Sequence, residues 1–138
     1  MKNLLAILAL TAGLLLLSVP MFAHHGSAIS YDLTKPWTSK ATIVEFKYIN
    51  PHPLVLFDIV DEKGNVQHWH SEIITNPSAM IRNGWTKSRS EEALKPGTKV
   101  TLTVCTSKAG GQAGVITKIV NEQGEEVLRG GGGNGGAQ

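Results

Sequence analysis

The sequence predicts a mainly β fold, a five-stranded OB-like barrel with one short helix between its third and fourth strands. Three observations carry that expectation. Five segments read as strands, three by alternation of apolar and polar residues and two as short runs rich in β-branched residues; one helix-start signal falls between the third and fourth, and no connection is long enough for the helical crossover of a parallel sheet. Five strands with a helix after the third is the chain order of an OB-type barrel, whose closure reduces exposed edges. An open antiparallel α+β sheet is the alternative arrangement of the same elements.

The chain opens with Met1-Lys2, a leucine-rich run to Val19, and then Pro20-Met21-Phe22-Ala23. A positive start, an apolar stretch and a small residue at 23 read as a secretory signal over residues 1–23, with cleavage expected after Ala23. The apolar run is shorter than the roughly 20 residues a spanning helix needs, so no stable membrane anchor is expected once the signal is removed. The mature chain is therefore expected to be periplasmic or secreted. Residues 24–40 contain the breakers Gly26, Asp32 and Pro36, with Trp37 as the largest apolar group, and read as an N-terminal loop segment over the edge of a core.

Residues 41–128 read as a single domain. In the first strand Val44, Phe46 and Tyr48 share one face while Glu45 and Lys47 take the other, until Asn50-Pro51-His52-Pro53 interrupts the pattern. Residues 54–60 form the second strand, with Val55, Phe57 and Ile59 on one side, and residues 61–65 form a hairpin turn. The third strand, 66–74, projects Trp69, Ser71 and Ile73 to one face and His68, His70 and Glu72 to the other. Asn76 is placed to cap a short helix, with Pro77 at its first position and Gly84 as its stop. After the turn Lys95-Pro96-Gly97, Val100, Leu102 and Val104 point inward in the fourth strand, which puts Cys105 on the outer face with Thr101 and Thr103. Residues 115–120 form the fifth strand, and a short extra strand can run through Val127. Residues 129–138 contain six glycines and nothing to bury, and read as a flexible tail.

Composition narrows the function. The net charge is +2, and the lysines and arginines are scattered among acids without a basic stripe, so nucleic acid is not an expected partner. The single cysteine, Cys105, has no internal disulfide partner, and no cysteine at the end of the signal would take a lipid. Ser27 beside His25 lacks a third orienting group, and the paired glycines lack the strand, helix and lysine of a phosphate loop. A non-catalytic protein is the expectation, with no organic cofactor.

The histidines carry the strongest chemical signal. All five, His24, His25, His52, His68 and His70, lie after the signal. Cleavage after Ala23 would give His24 a free amine beside its imidazole, two nitrogen donors placed to chelate a borderline metal. Closing such a site takes another imidazole: His25, or His52, whose backbone the flanking prolines stiffen. Copper is the first expectation and zinc the alternative, with binding that weakens as protons compete for imidazole and amine, near about pH 6.5 and about 7.7 in model compounds. A second, weaker metal site is His68, His70 and Glu72, two residues apart along one strand face. Solvated surface histidines and a strand-breaking turn are the plain alternatives. A different class of function is docking of another exported protein through the outer sheet face, where Leu54, Leu56 and Asp58 sit with His68 and His70.

The order of motifs, His24-His25-Gly26-Ser27, Asn50-Pro51-His52, Gly84-Trp85-Thr86 and Leu94-Lys95-Pro96-Gly97, resembles a family of small exported bacterial proteins known as a domain of unknown function. That family reads His-His-Ser at the mature start, and Gly26 interposes here. The resemblance implies an exported, small, β-rich domain and gives His24, His25 and His52 a shared reason to exist. It implies no activity.

Overall fold

The protein is described by a computed structural model over residues 30–129. The elements follow in the order β1 (Trp37–Lys47), β2 (Leu54–Val60), β3 (Val66–Ile73), α1 (Pro77–Arg82), α2 (Lys87–Ala93), β4 (Lys99–Thr106), β5 (Ala113–Asn121) and β6 (Glu126–Val127). The strands lie in the order β3-β2-β1-β4-β5-β6, and β3 also pairs with β5. That last pairing is parallel, His70 opposite Ala113 through Ile73 opposite Ile116, and it closes the first five strands into a barrel. Closure with this order is the OB-type arrangement, and it removes the open-sheet alternative.

Alternation builds the core. In β2, Val55 and Phe57 are fully buried while Leu54, Leu56 and Asp58 are half-buried on the outer face. From β4, Val100, Leu102 and Val104 enter the core, and Ile116 and Ile119 enter from β5. β4 and β5 approach closely at Gly114, where a Cβ would lie 2.6 Å from the Cys105 carbonyl oxygen. Trp69 stacks on Phe57 at 6.4 Å between ring centroids and meets Trp37 edge-on at 5.0 Å.

β1 departs from the sequence reading at two places. It begins at Trp37 rather than near Ala41, because residues 37–42 pair with β4 from Trp37 opposite Val104 to Thr42 opposite Lys99. Within the strand, the register on β2 shifts between Ile43 and Glu45. This bulge changes the phase of the alternation, so Ala41 and Ile43 are buried, Val44 is exposed, and Phe46 and Tyr48 return to the core side. Assigning Val44 to the inner face is therefore corrected: a bulged residue breaks the period of two.

The connection between β3 and β4 holds two helices rather than one. α1 starts as expected, with the Asn76 side chain accepting from the Ala79 N–H at 2.9 Å and Pro77 in the first turn. Gly84 follows with φ of 78°, a left-handed conformation that suits glycine. α2 then starts at the Thr86 cap, which accepts from the Arg89 N–H at 3.3 Å. Trp85 lies buried between the helices, with the Arg89 guanidinium 4.0 Å above its ring and donating to the Gly84 carbonyl at 3.0 Å. Gly84-Trp85-Thr86 is thus a helix junction. Lys95-Pro96-Gly97 has a comparable task, since Gly97 N–H donates to the Ile43 carbonyl at 2.7 Å and Ile43 N–H donates to Thr98 at 2.9 Å, tying the turn to the bulge of β1.

Three further side chains on outer sheet faces are less exposed than that placement suggests. Cys105 is 2% exposed on the outer side of β4, rather than on an open face. Leu54 and Leu56 are half-buried rather than exposed, flanked by β1 on one side and β3 on the other.

Candidate functional site

His52 lies in the connection between β1 and β2, on a segment the chain stitches to the end of β3. Ile73 N–H donates to the Pro53 carbonyl at 2.8 Å, and His52 Nδ1 lies 3.1 Å from the Ile73 carbonyl oxygen. A carbonyl oxygen only accepts, so the proton of the neutral imidazole sits on Nδ1. Nε2 then carries the lone pair. A backbone carbonyl that fixes one ring nitrogen and leaves the other as a donor to metal is a recurrent way of orienting a histidine ligand.

The outer faces of β2 and β3 form three direct cross-strand pairs: Leu54 with Glu72, Leu56 with His70, and Asp58 with His68. His68 Nδ1–H donates to Asp58 Oδ1 at 2.5 Å, and the imidazole is largely exposed. Solvent screens such a pair, and its effect is to orient His68 more than to stabilise the barrel. Glu72 is engaged as well, accepting the Tyr31 hydroxyl at Oε2 over 3.2 Å. Partial burial, with the Glu72 charge and hydrogen bond behind it, pushes the Tyr31 phenol above its ordinary range. His68, His70 and Glu72 share one face, as the alternation predicts. Among the described residues, no three histidine, cysteine, aspartate or glutamate side chains converge as a metal-holding group.

Tyr31 is the site residue that sequence reasoning missed. Its segment lies along the end of β4, through a bridge between Tyr31 and Ser107 and an Asp32 N–H bond to Thr106 at 3.0 Å, and its side chain crosses to β3. No local pattern signals a contact to a residue 41 positions away. His24 and His25, the first-choice metal donors, lie outside the described residues. Tyr31 follows His25 by six positions in the sequence, a span of at most about 20 Å of extended chain. Glu72, which Tyr31 touches, adjoins the Ile73 that holds His52.

Trp37, Trp69 and Trp85 are all accounted for by packing, the first two against each other and the third beneath Arg89. Among the described residues no helix is long and apolar enough to cross a membrane. A family model matches residues 12–117, and its description is Family of unknown function (DUF6152). No curated protein and no solved structure matches the chain.

Proposed function

We propose that this chain, which belongs to the family of unknown function DUF6152, is an exported, non-catalytic metal-binding protein. The metal is copper before zinc, and the donors are the amino-terminal His24 and the fixed ring of His52, with His25 available beside them. The observation that carries the reading is the His52 ring, whose Nδ1–H is committed to the Ile73 carbonyl and whose Nε2 is left as a donor. Among the described residues His52 and His68 are each oriented by a hydrogen bond and no three donors converge, and the reading takes the remaining donors from the terminal histidines. Nitrogen-rich ligation and the divalent affinity order favour copper.

The test is Cu(II) titration of the processed protein against its His52→Ala variant. The expected result is a loss of affinity of at least about tenfold, in the range that losing a ligand or its orienting group causes. Unchanged affinity in a combined His24→Ala, His52→Ala variant would end the proposal. Co-purification with another exported protein that survives chelator but not Leu56→Glu would instead support docking through the outer face of β2 and β3.

A further inference from the structure

A groove of about 700 Å³ crosses the outer face of β1 and β4. Val60, at the end of β2, bounds one side, and Val120 with the turn after β5 bounds the other. The shape follows from the pairing. β1 meets β2 only from Thr42 onward, so residues 37–41 pair with β4 alone and β2 diverges from them. Sheet twist then turns the face of the two middle strands into a saddle.

Two cations lie on that saddle. The register sets Lys40 opposite Thr101 and Lys99 opposite Thr42, so the lysines are diagonal neighbours on adjacent strands, each facing a threonine. Diagonal positions are about 7–8 Å apart, within reach of long side chains. Lys40 and Lys99 form no ion pair among the described residues, whereas Lys47, Lys87 and Lys95 pair with Glu45, Glu91 and Glu92. Two carboxylates also line the groove: Asp58 is occupied by His68, and Glu122 stands on the turn at the far side. Valine walls, two unpaired ammonium groups and adjacent hydroxyls make an apolar cleft with a few converging polar groups, in the size range of small-molecule sites.

We propose that this groove binds a small organic anion with an apolar body, its acidic head held between Lys40 and Lys99 and its apolar part against Val60 and Val120. The site is separate from His52 and does not depend on metal.

The test uses the whole processed chain, with 1-anilinonaphthalene-8-sulfonate as the fluorescent probe and decanoate as competitor. One saturable site is expected, with decanoate displacing the probe. Affinity should fall at least about tenfold in Lys40→Gln/Lys99→Gln, as for loss of a charge-assisted contact. Lys118→Gln, on the exposed part of β5, should bind like the parent. Val60 is 64% exposed, so Val60→Glu should leave the fold intact while placing a repelling carboxylate at the rim, with a similar loss. No saturable binding, or affinity within about twofold of the parent in both the double-lysine and Val60→Glu variants, would overturn the proposal.

Discussion

At the scale of single residues, His52 and Asp61 show how a backbone partner gives a side chain its chemistry. The Ile73 carbonyl selects one tautomer of His52 and so determines which nitrogen keeps its lone pair. Asp61 reverses the roles, its carboxylate accepting from the backbone N–H groups of Asn65 and Lys63, each at 2.9 Å, to close the turn between β2 and β3. Those bonds favour the charged form, the Asn65 N–H foremost, and hold the Asp61 carboxyl below its ordinary range. A depressed folded value means that the turn is supported above the ordinary carboxylate range and loosens as pH falls through the depressed value. An NMR titration should show the Lys63 and Asn65 amides shifting together at that lower midpoint, and Asp61→Asn should remove the shift. A midpoint at or above that of a free aspartate would contradict the assignment. The histidine motifs could be found in the sequence, whereas the partners of His52 and Glu72 could not, since Ile73 and Tyr31 reach them only after the barrel has closed.

Among the elements, the helix connection most clearly separates what a sequence can tell from what it cannot. Asn76, Pro77 and Gly84 mark α1 because caps act locally, and the structure has the same cap, first turn and left-handed glycine. α2 was not legible: it spans seven residues, and Ser90 is its one buried residue, so no apolar stripe announces it. Its start depends on Thr86, and its position on Arg89 over Trp85. Asn76→Ala should cost about 1 kcal/mol in denaturant unfolding, the typical value for losing a capping side chain. An unchanged midpoint would mean that packing of Pro77 and Met80 holds α1 without the cap. β1 illustrates the other limit. Period-two alternation identified the strand, but the bulge at Val44 reverses the phase halfway along it. The run from Trp37 to Lys40 resembled a loop because its partner, β4, lies some sixty residues later in sequence.

Across the whole molecule, the barrel is a single core on which two distant surfaces are placed, the His52 corner and the lysine groove. Phe57 is 1% exposed and stacks with Trp69, so Phe57→Ala should cost roughly 3–5 kcal/mol. Against the roughly 5–15 kcal/mol that stabilises typical domains, that is a large fraction. Ser71 is equally buried, yet its hydroxyl has no hydrogen-bond partner among the described residues. Removing an unsatisfied polar group relieves a desolvation cost, so Ser71→Ala should unfold at the parent midpoint or above it. A clear loss of stability there would show that the hydroxyl is satisfied in solution. Barrel order was legible because five strand-like segments are set apart by turn residues and the helix signal falls in the gap after the third. The parallel β3–β5 closure is a property of the whole chain and becomes visible only in the structure.

The metal proposal depends on a terminus that processing must create. Its most direct test is intact mass combined with Cu(II) titration on protein exported and cleaved by its own leader. The account predicts a mature chain beginning at His24 that takes up one tight, chelator-reversible equivalent of Cu(II), with that binding lost when a single residue precedes His24. A chain that begins elsewhere and binds copper equally well, or binding no tighter than that of an unrelated histidine-bearing control, would contradict it.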